Sequence, residues 1–276
     1  MVSTVYHNDK SIVLCADDYS LSQSVNEGIL QLLEHQRLSA VSCMTQSPEW
    51  RTDAVNLLSW KGKADIGLHL NFTHSFKSAF AMSLPMIMAK SLLRLLSGRD
   101  IQNSIMQQLD AFEDAMGQMP DFIDGHQHVH VFPQIRDFLL AECLKRYGKQ
   151  KPWIRSVACS TDGGIKAVVL NGMGASVSDQ LFRSQGFAGN NAFAGLYDLS
   201  PNADYPAKMQ AWLGKVPDAT LIMCHPASHE NQADDHSDAR VVEYNYFNSD
   251  VWLSELTKNN VQIRKGSEIF VSGNDL

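Results

Sequence analysis

Short apolar runs alternate with amphipathic stretches along most of the chain. Residues 11–15 form a compact apolar run that ends on the acidic pair Asp17-Asp18. Over residues 22–36, Val25, Ile29, Leu32 and Leu33 recur on one helical face. Ser24, three residues before Glu27, suggests a capping box, with Ser20 and Ser22 competing for the cap. Residues 40–45 read as a second strand, 53–60 as a short helix and 65–71 as a third strand carrying His69 near its end. Ile101, Ile105, Leu109, Phe112 and Met116 fix a helix over 100–117, with Pro120 beyond it. A histidine-rich strand comes next, and Pro133 ends it and starts a helix through about residue 147. Residues 153–159 and 219–224 read as further strands. Between them, residues 161–204 bear several glycines and show no clear period. A structureless loop of that length is unusual, so helical turns and a wall of the site are expected there.

Strands alternating with helices argue for an α/β protein with a mainly parallel sheet. A closed, distorted or incompletely closed (β/α) barrel is the first expectation, and a doubly wound open sheet is the second. The 276 residues suit a single barrel-like domain spanning 1–276. A net charge of −7 without a long basic run argues against nucleic acid as the main partner. The five cysteines include no Cys-x-x-Cys pair and sit mostly beside apolar runs. Buried free thiols in a reducing compartment are therefore expected. The first ten residues hold no apolar signal core, and no apolar run is long enough to cross a bilayer. A cytoplasmic location is the expectation.

The chemistry gathers in four places: Asp17-Asp18, His69, the run Asp124-Gly125-His126-Gln127-His128-Val129-His130, and His225. Each lies at the end of a predicted strand, where loops build pockets in barrels and parallel sheets. If the histidine run is extended, the two-residue period puts Asp124 and all three imidazoles on one face. Adjacent strand residues point oppositely, so Asp17 and Asp18 can share a site only where the chain turns. Each motif alone has a structural explanation, as a helix cap, an interior histidine or a strand end. Together they require four coincidences. A carboxylate with two imidazoles can hold a divalent cation and leave positions open for water or substrate. The thiolate-free set suits zinc, manganese, cobalt, nickel or magnesium.

These pieces resemble the YdjC family of carbohydrate deacetylases. The likeness rests on Ala16-Asp17-Asp18-Tyr19, Gly67-Leu68-His69-Leu70-Asn71, Asp124 through His130, and Met223-Cys224-His225-Pro226-Ala227, with Ala239-Arg240 through Glu243-Tyr244 as a closing segment. Tyr19-Ser20 stands where Phe-Gly is usual, and Gly125 replaces a common serine. The resemblance implies a metal-dependent N-deacetylase on a barrel-like fold, acting on an acetylated amino sugar or short glycan. It implies that Asp18, His69 and His126 hold one divalent ion (magnesium or zinc), that Asp17 is the base and that His225 is the acid. His128, His130, Asn71 and Arg155 are candidates for substrate or supporting contacts. A homodimer is compatible with such enzymes. Two alternatives stand beside this reading: another metal-dependent barrel hydrolase or isomerase, and a non-catalytic sugar-binding protein. The leucine- and methionine-rich segment 79–96 reads as core or subunit contact, with an apolar lid over a lipid-linked glycan as the sharper alternative.

Overall fold

The computed structural model describes residues 9–76, 80–158, 160 and 164–270. Ala79, Cys159 and Thr161, which bound three of the predicted segments, lie outside the described residues, as do the first eight. Among the described residues an eight-stranded parallel sheet forms the frame. Its strands are β1 (Lys10–Tyr19), β2 (Ala40–Cys43), β3 (Asp65–Leu70), β4 (Phe122–Gly125), β5 (Trp153–Ile154), β6 (Ala192–Ala194), β7 (Thr220–Cys224) and β8 (Val261–Ile263). They lie in the order β5-β4-β3-β2-β1-β7-β6. β8 pairs with Lys10–Ile12, ahead of the point where β2 joins β1 at Cys15. Ile12 through Ala16 are fully buried, as expected for a parallel strand covered on both faces.

The helices are α1 (Gln23–Glu34), α2 (Trp50–Leu57), α3 (Leu84–Leu92), α4 (Gly98–Met116), α5 (Ile135–Tyr147), α6 (Ile165–Gly172), α7 (Ala175–Ser184), α8 (Tyr205–Lys215), α9 (Ser237–Phe247), α10 (Asp250–Lys258) and α11 (Gly266–Ile269). Ser22 wins the competition to cap α1, accepting from the amide of Val25. Gly28 within that helix has a packing reason, since a Cβ there would lie 2.7 Å from the backbone nitrogen of Ser228. The predicted face of α4 is the buried one, and Gly117 ends the helix in a left-handed conformation. No described helix is long and apolar enough to cross a membrane. Cys15, Cys43, Cys143 and Cys224 are buried free thiols.

The sheet curls into an incompletely closed barrel. Its edge strands β5 and β6 share no ladder; Ser160 forms one parallel bridge with Phe193. The amide of Ile154 also donates to the Ala188 carbonyl at 2.9 Å. The buried Asn190 side chain completes the join, accepting from the Ser156 amide and donating to the Ser156 carbonyl, both at 2.8 Å. A side-chain amide thus takes the place of a backbone pair.

Three expectations need correction. The strand predicted over 153–159 is only Trp153–Ile154, because the chain leaves the sheet at Arg155 to reach the carboxylates at the sheet's end. The helix predicted from Asp53 begins at Trp50. The histidine run is not a strand: β4 ends at Gly125 and residues His126–Val131 form 3-10 turns. Gln127 (φ 52°) and His128 (φ 61°) are left-handed there, so the two-residue side-chain period is lost.

Candidate metal centre and active site

The acidic pair reaches one pocket because β1 is bulged. Two residues, Asp17 and Asp18, occupy the interval between Ala16 and Tyr19, where β2 supplies only Ser42. Asp18 is left-handed (φ 70°) and so is Ser20 (φ 73°). This is the turn that the sequence required for both carboxylates to face one way. Such backbone costs about 1–3 kcal/mol per residue and persists where the surroundings enforce it.

Asp18, His69 and His126 converge. Asp18 Oδ1 lies 3.3 Å from His69 Nε2 and 3.0 Å from His126 Nδ1, and the three donor atoms lie within 4.8 Å of one another. One carboxylate oxygen and two imidazole nitrogens at this spacing fit a divalent transition ion. His69 is oriented from behind: its Nδ1 donates to Asp124 Oδ1 at 2.7 Å, leaving Nε2 toward Asp18. The Ser42 hydroxyl also donates to Asp124. Burial opposes charge on His69, but the Asp124 and Asp17 carboxylates outweigh it and push the imidazole up to about 10. A cation entering there displaces that proton.

Two buried arginines hold the carboxylates. Arg155 grips Asp17 with two nitrogens, at 2.7 and 2.5 Å, and reaches Asp124 Oδ2 at 2.5 Å. Arg240, from α9, donates to Asp18 Oδ2 at 2.7 Å and pairs with Asp234 at 2.7 Å. Burial alone would raise both Asp17 and Asp18. The charge of Arg155 on Asp17, and of Arg240 and His126 on Asp18, holds them well below the usual carboxylate range instead.

His225 stands across from Asp17, its Nε2 4.0 Å from Asp17 Oδ2. Behind it, the buried Glu243 accepts from the His225 backbone amide and from the Tyr197 hydroxyl, with one carboxylate oxygen 3.9 Å from His225 Nδ1. Asp17, Asp18, His69, His126, His128 and His225 all line one cleft of about 320 Å³.

The remaining candidates divide. His128 lines the cleft with its ring edge-on to Phe193, and burial keeps its imidazole well below the usual range, aided by Arg155 and His130. His130 does not reach the cleft; it is fully buried and its Nε2 meets the Arg155 carbonyl at 3.0 Å. Burial brings it down to about 4, so it is neutral. Asn71 is likewise away from the cleft, donating to Gln46 and to the His74 carbonyl. Arg155 touches carboxylates and is sealed from solvent. Sequence reasoning assigned no role to Arg240, Glu243 or Ser42. The signal for the first two was an Arg-x-x-Glu pair, which a helix places on one face.

Among curated proteins, the chain is 26% identical over 233 residues to a chitooligosaccharide deacetylase of Citrobacter koseri, covering 81% of this chain and 84% of that one. It is 26% identical over 187 residues to the Serratia marcescens protein of the same name, covering 63% and 74%. With a carbohydrate deacetylase of Danio rerio it shares 27% identity over 161 residues, half of this chain and 47% of the relative. A solved Enterococcus faecalis protein, described provisionally as a cellobiose-phosphate cleavage protein, superposes with a TM-score of 0.71 at 16% identity, covering 94% of this chain and 98% of that one. That likeness shows a shared fold. The family model described as YdjC-like protein matches residues 11–258, and the chain belongs to that family.

Proposed function

We propose that this protein is a metal-dependent hydrolase that removes the N-acetyl group from an acetylated amino sugar. The observation that carries this reading is the meeting of Asp18, His69 and His126 donor atoms beside a second carboxylate and opposite an unshared imidazole. The names of the curated relatives agree with it. Asp18, His69 and His126 would hold the ion, magnesium or zinc. When bound, the ion supplies acidity to water and polarises an acetyl carbonyl.

The chain's own groups then account for the proton traffic. Asp17, kept ionised and fixed in direction by Arg155, accepts a proton from the attacking water. His225 Nε2, 4.0 Å away, is placed to deliver a proton to the departing amine nitrogen. Glu243 fixes the backbone of His225 and faces its Nδ1. Water adds to the amide carbon, the C–N bond breaks, and acetate and a free amine leave.

The test pairs metal analysis of the purified protein with acetate release from N-acetylglucosamine oligomers, before and after chelation. Acetate that disappears on chelation and returns with added ion is expected. Acetate release indifferent to chelation would remove the metal from the reading, and none from any oligomer would remove the deacetylase.

A further inference from the structure

The cleft is lined by charged groups and by the exposed Gln127 and His236, but much of its wall is aliphatic. Leu84 and Met88 of α3, Ile165 and Val169 of α6, Met173 just beyond it, and Leu199 line it. Sugar hydroxyls laid against such walls lose water without gaining hydrogen-bond partners, which is unfavourable. Of the aromatic side chains that line the cleft, Phe132 and Tyr197 are buried in the frame, while the partly exposed Phe76 and His74 rings pack on one another beside His126. Lys166 is already engaged with the Tyr197 carbonyl.

The same two helices carry apolar side chains into solvent, Ile165 of the cleft wall among them. Ile165 is 83% exposed, Val168 69% and Leu92 52%. Core packing accounts for Ile87 and Leu170, which are buried, but not for these. Apolar surface gathered at the entrance of a pocket marks a ligand with apolar surface of its own. The segment over 79–96 therefore divides by face: Ile87 packs inward, Leu84 and Met88 wall the cleft, and Leu92 and Leu95 stay outside it.

We infer that the substrate is an amphiphile, an acetylated amino sugar joined to an apolar aglycone that lies along α3 and α6 while the acetamido group reaches the charged floor. This inference rests on the deacetylase reading and names its substrate class. Acetate release from the methyl, butyl and hexyl glycosides of N-acetylglucosamine, below micelle-forming concentrations, tests it, with diacetylchitobiose as the purely sugar comparison. In the unsubstituted enzyme kcat/KM should rise about twofold to fourfold per added methylene, the upper figure corresponding to full burial. In the double variant Met88→Ser, Val169→Ser the gain per methylene should fall towards one. Ile165→Ser, at a solvent-facing position, should weaken the same gain even if the double variant folds poorly. Val168→Ser, whose side chain lies outside the cleft, should keep it.

A kcat/KM independent of chain length, with the methyl glycoside and diacetylchitobiose both turned over, overturns the inference and leaves the deacetylase standing. A chain-length gain that survives in a well-folded double variant overturns it too. No acetate from any of the compounds removes both.

Discussion

Aspartates are buried at both ends of the sheet, and the two ends treat them in opposite ways. At the carboxyl edge Asp17, Asp18 and Asp124 meet Arg155, Arg240 and imidazoles. At the amino edge the partners bonded to the carboxylates are neutral. Asp65 accepts from Trp153 Nε1 at 3.0 Å and from the Ser267 amide at 2.8 Å, and Asp121 accepts from the Ile66 amide at 2.8 Å. Burial raises Asp121 to about 6, and the Ile66 bond offsets it only in part. The arginines reverse that effect for Asp17 and Asp18. A carboxylate forced to stay charged is available to hold an ion or accept a proton. One held by uncharged donors, as Asp65 and Asp121 are, ties strand ends together.

The largest effects should come from breaking the charged end. Asp17→Asn should lower kcat by about 10²–10⁴-fold while zinc or manganese binding, followed by calorimetry, is retained. Arg155→Met leaves Asp17 and Asp124 without their shared counter-charge and should cost about 3–5 kcal/mol in denaturant unfolding. Equal stability of that variant would mean that the two carboxylates are neutral in the fold. Asp124→Asn removes the acceptor that orients His69 and should weaken ion binding about 10- to 100-fold, measurable without any turnover. The smallest effect belongs to the neutral end. Asp121 is protonated in the folded chain at pH values where the unfolded chain has lost that proton. The folded state therefore binds more protons between about pH 4 and 6, and stability falls as pH rises through that window. Asp121→Asn should remove this slope and raise stability at pH 7 by about 1–2 kcal/mol, the Asn oxygen still accepting from Ile66. A steeper slope in that variant would contradict the assignment.

Much of the charged end was legible because strand ends in parallel sheets bear the chemistry. Asp18, His69, His126 and His225 could be placed from short apolar runs and the polar residues at their carboxyl ends. The histidine run misled because alternation presumes an extended backbone, and only φ values show that Gln127 and His128 turn left-handed. That turn sends His130 into the core behind Arg155 while His126 stays at the cleft. Arg240 and Glu243 stood in the closing segment, but their roles were out of reach because their partners, Asp18 and His225, lie 222 and 18 residues away in sequence. The neutral end left no trace either, since Asp65 and Asp121 look like ordinary polar residues flanking strands.

Among the described residues, the join between β5 and β6 rests on one bridge, the Ile154–Ala188 hydrogen bond and the Asn190 amide rather than on a ladder. Helices α6 and α7 connect those two strands in the chain, so one flank of the cleft hangs from that join, while the strands that lead to Asp18, His69 and His126 belong to the continuous arc. The flank that walls the cleft and the strands that carry Asp18 and His69 thus belong to different parts of one sheet.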